Sequence, residues 1–137
     1  MKLVAKFEQK NIIDNDIDFV KVYLSITKET QAQRLEERKQ PMQRWKISKV
    51  DKKAQEKWYL YTLAKSEILR RTDFKKSPWM VVDSNERFLS AIEIMKAIMR
   101  SNDEVSKTIE NEMSIDLSPD FDIVRTANQE IARMQEL

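Results

Sequence analysis

Between positions 34 and 49 the chain carries six cationic side chains: Arg34, Arg38, Lys39, Arg44, Lys46 and Lys49. Arg34 and Arg38 stand four residues apart, a spacing that puts two guanidinium groups on one face of a helix. Arg44 and Lys46 flank Trp45 just beyond Pro41, in a stretch that the proline turns into a loop. Forked guanidinium groups at this spacing chelate successive phosphates, and like charges this close favour an anion between them. The same residues also make a solvated basic helix, paired in part with Glu36 and Glu37. Spacing alone does not choose between the two. Trp45 and Trp58 can each stack on a base or polymer, or pack as core or hinge. Arg70 and Arg71 complement a helix C-terminus, with anion binding as the second reading.

Other chemistry is excluded by composition. The chain has no histidine and no cysteine, so Ser-His-Asp catalysis, thiolate nucleophiles, disulfides and His-based metal sites are out. It has no glycine either, where a chain of 137 residues ordinarily carries about ten. A GxxxxGK loop or GxGxxG turn needs glycine so that backbone N–H groups can close on phosphate. Within this sequence, any phosphate cradle of that kind has to come from elsewhere. No catalytic residue and no metal ligand can be assigned. The first twenty residues lack an apolar signal-peptide core and no run is long enough for a bilayer, so the expected location is cytoplasmic, with no membrane partner.

The elements that position the basic cluster follow from periodicity. Leu3, Val4, Phe7, Ile12 and Ile13 predict a short amphipathic helix ending at Asp14-Asn15-Asp16. Val20 to Ile26 reads as a buried strand, and Thr27 caps a helix to about Lys39, with Glu29 in its first turn. Ser48 and Asp51 match a capping box for a long helix to Arg71, with Ala54, Trp58, Tyr61, Ala64 and Ile68 as its apolar stripe. Trp79-Met80-Val81-Val82 reads as a second strand. Asp83 with Glu86 then caps a helix whose core face holds Phe88, Ala91, Ile92, Met95, Ile98 and Met99. Residues 101–121 read as an acidic linker with a marginal helical turn, and Ile123 to Leu137 as a last helix. Strands separated by helices predict an α/β fold, mostly helical, with about two parallel strands. Two buried strands need neighbours, so the pattern describes part of an α/β domain.

Charge is uneven. Residues 1–101 hold 22 basic and 14 acidic side chains, whereas residues 102–137 hold three and nine. The body therefore favours anionic partners and the acidic tail can fold over it, unless both are simply solvated faces.

Several separated segments, in register over residues 5–100, resemble the polyphosphate kinase 2 family. Val22-Tyr23-Leu24-Ser25-Ile26-Thr27-Lys28-Glu29-Thr30-Gln31 is similar to its strand-to-helix junction. Arg34, Glu37-Arg38 and Pro41-Met42-Gln43-Arg44-Trp45-Lys46-Ile47-Ser48 follow in order. Lys57-Trp58, Tyr61-Thr62, Ala64-Lys65, Arg71-Thr72-Asp73 and Ser77-Pro78-Trp79-Met80-Val81-Val82 continue the pattern. The resemblance implies a partial P-loop kinase-like three-layer fold: residues 1–100 are the C-terminal part of that domain, with a lid around 28–72, and 101–137 are an acidic linker and helix. It implies phosphoryl transfer between inorganic polyphosphate and nucleoside mono- or diphosphates, with Mg2+ for which this chain shows no ligand. By the same resemblance Arg34, Arg38, Arg44 and Lys46 contact phosphates, Trp45 and Trp58 brace the lid, and Ser48 with Asp51 caps its long helix.

The sequence departs from the family pattern in places. The acid before Pro41 is missing, Lys49 stands where proline is usual, Leu60 sits near an expected acid, and the basic run after Asn85 is shortened. The Walker A and Walker B segments are not among these residues. The expectation is a phosphotransferase piece inactive alone, completed by a P-loop-bearing half or a homo-oligomer. The alternatives are a non-catalytic polyphosphate- or nucleotide-binding module and a helical interaction protein. Nucleic acid is not an expected partner.

Overall fold

The computed structural model describes residues 2–15 and 17–135. Three strands form one sheet in the order β1 (Lys21–Ser25), β2 (Trp79–Asp83), β3 (Val124–Thr126). β1 and β2 are parallel, with Tyr23 opposite Val81 and Ser25 opposite Asp83. β3 runs antiparallel to β2, with Arg125 opposite Val81. The crossover between the parallel strands carries α2 (Lys28–Glu37), a 3-10 segment (Pro41–Lys46), α3 (Asp51–Ala54) and α4 (Trp58–Thr72). Before β1 lies α1 (Lys2–Phe7), continued by π and 3-10 turns to Asn15. After β2 come α5 (Arg87–Arg100), α6 (Asp103–Glu112), β3 and α7 (Ala127–Gln135).

Side chains alternate across the sheet. On one face Leu69 of α4, Val81 and Ala127 of α7 form the buried core, with Tyr23, Trp79, Ile131 and Met134 packed against it. Tyr23 and Trp79 meet edge to face, with ring centroids 6.5 Å apart. On the other face Val82 is buried where α5 packs on β2. Helices on both sides of a small mixed sheet make this a partial three-layer α/β fold.

Several expectations change. The third strand falls where the last helix was to begin, and that helix starts at Ala127; Glu136 and Leu137 lie outside the described residues, as does Asp16. The polar stretch 101–121 contains a ten-residue helix, α6, whose Asn102 side chain accepts from the Glu104 and Val105 amides. A run this acidic is helical because that cap and its acidic first turn satisfy the N-terminal amides and dipole. The single long helix to Arg71 is two helices, α3 and α4. The break follows Gln55, whose side-chain amide is tied to the Lys28 carbonyl and the Gln31 side chain.

Two apolar stripes are also turned. On α4 the buried line is Lys65–Leu69–Thr72, and Tyr61 and Ala64 are exposed; Lys65 turns inward to meet an acid on α7. On α5, Ser90, Glu93 and Ala97 are buried, while Phe88 is 76% and Met95 54% exposed. Polar bonds hold α5 that way round: Glu93 accepts from the Asp120 amide and pairs with Lys96, and Arg100 donates to the Leu117 carbonyl. Met95 is therefore not core here, and Met99 is half-buried. The cap expected from Asp83 and Glu86 does not form, because Asp83 accepts from the Asn85 amide instead. β1 ends the sheet with Leu24 52% exposed, so it is not the fully buried strand its composition suggests.

Candidate functional site

The crossover from β1 begins at Thr27, whose hydroxyl accepts from the Thr30 amide at 3.1 Å and starts α2. One turn on, Arg34 Nη2 donates to the carbonyls of Ser84 (2.5 Å) and Asn85 (3.1 Å), and Asn85 Oδ1 accepts from the Thr27 amide. Arg34 thus fastens α2 to the chain leaving β2. Arg38, on the next turn, turns to Asp51 instead, with Nη1 2.8 Å from Oδ2. Arg34 and Arg38 share a helix but serve different partners.

Asp51 ties two parts of the crossover together. Its carboxylate accepts from the Ser48 amide at 3.1 Å, and its own amide donates to Ser48 Oγ at 3.2 Å, so the capping box closes reciprocally. The Ser48 amide, then Arg38, hold the Asp51 carboxyl below its ordinary value. Arg38, Ser48 and Asp51 therefore form one assembly that joins the end of α2 to the start of α3.

Between these anchors the 3-10 segment is open to solvent. Arg44 Nε donates to the Lys39 carbonyl at 3.0 Å, with the rest of its guanidinium exposed. Lys46 Nζ lies 5.3 Å from the centre of the Trp45 ring. Trp45 is 79% exposed and held by its indole N–H on the Met42 carbonyl, so core packing does not describe it. Trp58 is half-buried at the start of α4. Of the residues singled out in the sequence, Arg44, Trp45 and Lys46 stand together, Arg38, Ser48 and Asp51 stand together, and Arg34 stands apart.

Two groupings escaped the sequence reading. Lys49, Val50, Lys53, Lys57 and Tyr61 line an open hollow of about 410 Å³ on the lid. The four-residue spacing 49, 53, 57, 61 was the available signal. The second is a buried network at the carboxyl end of β1. Glu130 Oε1 accepts from Ser25 Oγ at 2.8 Å and from Lys65, Oε2 accepts from Arg125 Nε at 2.9 Å, and Arg133 stands 3.8 Å away. Burial alone would raise the Glu130 carboxyl, but the hydrogen bonds from Lys65 and Ser25, with Arg125, outweigh it and hold it at about 2. Burial pulls the Lys65 ammonium below the usual lysine range, and Glu130 draws it part of the way back. No local sequence signal links residues 65 apart.

Among the described residues, no three of His, Cys, Asp and Glu converge as a metal site. No helix of the described residues is long and apolar enough to cross a membrane.

A parallel β-helix-β crossover carries an exposed cationic segment in a small α/β unit. The chain belongs to the polyphosphate kinase 2 family, whose model, Polyphosphate kinase 2 (PPK2), matches residues 1–110. It is 32% identical over 100 residues to polyphosphate kinase PPK2B of Corynebacterium glutamicum, covering 72% of this chain and 33% of that protein. It is 33% identical over 102 residues to a GDP-polyphosphate phosphotransferase of Mycolicibacterium smegmatis, covering 74% and 36%. A polyphosphate:AMP phosphotransferase of Acinetobacter johnsonii is 31% identical over 98 residues, covering 71% and 20%. The matched part spans about a third or less of each of these relatives.

Proposed function

We propose that these residues form the C-terminal, lid-bearing part of a phosphotransferase that moves phosphoryl groups between inorganic polyphosphate and nucleoside mono- or diphosphates, and that they do not catalyse the transfer alone. The observation that carries this reading is the exposed Arg44-Trp45-Lys46 segment, held from behind by the Arg38–Asp51–Ser48 assembly. Phosphoryl transfer needs little covalent chemistry from the protein; it needs charge neutralised and groups held in line. Arg44 and Lys46 supply the charge, with one guanidinium fork and one ammonium point charge. Trp45 braces the segment, and Arg34 and Arg38 position it through the Ser84 carbonyl and Asp51.

The rest of the site comes from polypeptide beyond these residues: a glycine-rich loop that this glycine-free sequence cannot form, with the acids that hold Mg2+. The free edge of β1 and the open apolar face of α5 (Phe88, Met95, Ile98) are where such a segment would pack. The test is phosphoryl transfer from long-chain polyphosphate to ADP, GDP or AMP with Mg2+, alongside a thermal-shift titration at two salt concentrations. No turnover with a salt-sensitive stabilisation is the expected result. Turnover that persists through exhaustive purification would overturn the claim that the missing loop is required. Absence of any stabilisation would overturn the claim that the lid binds phosphate.

A further inference from the structure

The lid's anion-binding surface does not end at Lys46. We propose that Lys49, Lys53 and Lys57 continue it as a second cationic subsite, which holds a distal stretch of the same polyphosphate chain and so favours long polymers over short ones. The inference rests on the reading of the lid given above. The three lysines and Tyr61 follow at four-residue steps and line one hollow of about 410 Å³. The row survives the break between α3 and α4 because backbone bonds span it: the Lys57 amide donates to the Lys53 carbonyl at 3.0 Å, and the Tyr61 amide to the Lys57 carbonyl at 3.1 Å. At a helical rise of ~1.5 Å per residue, the row from Lys53 to Tyr61 is about 12 Å long, with Lys49 in the turn before it.

The row also has its charge available. Arg34 is spent on two carbonyls and Arg38 on Asp51, but none of the three lysines has a carboxylate within ion-pair distance among the described residues. All three are exposed. Val50 and Tyr61 give the hollow apolar walls, and low-dielectric walls lined by one sign of charge focus the field on an incoming anion. Ammonium groups are point charges with no fixed fork, so they suit a flexible repeating anion. The lining brings three ammonium groups and no carboxylate side chain, so its chemistry is the neutralisation of a phosphate chain.

The experiment is binding of the full chain to long-chain polyphosphate and to tripolyphosphate at several salt concentrations. It uses the unaltered protein, the Lys49→Gln/Lys53→Gln/Lys57→Gln variant and the matching Lys→Arg triple. The glutamine variant is expected to lose roughly tenfold or more in affinity for the long chain, with the salt slope falling by about one per lysine removed. Its affinity for tripolyphosphate changes less than about threefold, and the arginine variant, which keeps the charge, binds like the unaltered chain. Unchanged long-chain affinity in the glutamine variant overturns the subsite, and so does an equal loss for both ligands. Equal binding of single-stranded RNA, weakened equally by the glutamines, overturns the choice of polyphosphate. If the unaltered chain binds no polyphosphate at all, the reading of the lid itself falls.

Discussion

Glu130 of α7 is paired with Lys65 of α4 inside the protein, where the carboxylate is wholly buried. The pair joins a helix of the β1–β2 crossover to a helix that lies beyond the residues matched to the family, 1–110. Ser25 at the end of β1 and Arg125 on β3 complete the carboxylate's bonds, so four elements meet on one side chain. The C-terminal helix α7 is therefore packed into the same unit as α4, β1 and β3.

Removing that carboxylate should be costly. Glu130→Ala leaves the half-buried Lys65 without its counter-charge and Arg125 with only Asp83, 3.5 Å away, and breaking one side of a buried pair typically costs about 3–5 kcal/mol. Glu130→Gln keeps the shape and part of the hydrogen bonding, so a smaller loss is expected. The exposed pair Lys39–Glu36 is the control: Lys39→Ala should change stability by less than about 1 kcal/mol. Urea unfolding of the three variants checks the order. Equal, small effects in all three would show that the buried network contributes nothing.

Acid should loosen the same network. The folded Glu130 carboxyl titrates at about 2, below its ordinary 4.5, so the folded state binds its proton more weakly than the unfolded chain does. Its contribution is fully present above about pH 4.5 and is lost as pH falls toward 2. Asp51, also held low, adds a loss of the same sign below its ordinary 3.8. Tyr23 works at the other end: burial, then the Glu130 charge, raises its pKa, so its contribution is lost as pH rises past 10.0. The unfolding temperature contributed by this network should hold from pH 6 to about pH 4.5 and fall from there to pH 2 in the unaltered protein, and fall less steeply in Glu130→Gln.

The bracing between α2 and α3 is separable from the exposed charge of the 3-10 segment. Asp51→Asn removes the partner of Arg38 and weakens the capping box with Ser48. The assembly is exposed on the Ser48 side, so global stability should fall by only about 1 kcal/mol, the usual worth of a cap. Hydrogen exchange should instead rise locally, across residues 47–54. Exchange that rises equally over the sheet would show that the Arg38–Asp51–Ser48 assembly does not act locally.

What the sequence made legible was local. Thr27 capping α2, Ser48 with Asp51, and the paired strands around Tyr23 and Val81 all follow from short-range patterns and are found. Long-range polar pairing was not legible. A lysine in a helix reads as solvent-facing, so the stripe on α4 was drawn through Tyr61 and Ala64 when Glu130 turns Lys65 and Leu69 inward. The same holds for α5, where Glu93 sits inside and Phe88 outside. In the lid, spacing grouped Arg34 with Arg38, but the carbonyls of Ser84 and Asn85 claim one and Asp51 the other. β3 is three residues long, too short to carry a period.

The open face of α5 gives the last prediction. Phe88, Met95 and Ile98 lie outward on one side of the helix, while Ser90, Glu93 and Ala97 face in. If that face is solvent-exposed in the chain alone, Met95→Gln and Phe88→Ser should each change unfolding stability by no more than about 0.5 kcal/mol. Ala97→Gln, which forces a long polar side chain into the packed side, should cost about 1–3 kcal/mol. The outward substitutions should also reduce self-association in sedimentation velocity, since exposed apolar patches drive it. Large losses from Met95→Gln with little effect from Ala97→Gln would mean that α5 is turned the other way, with its apolar stripe against the sheet.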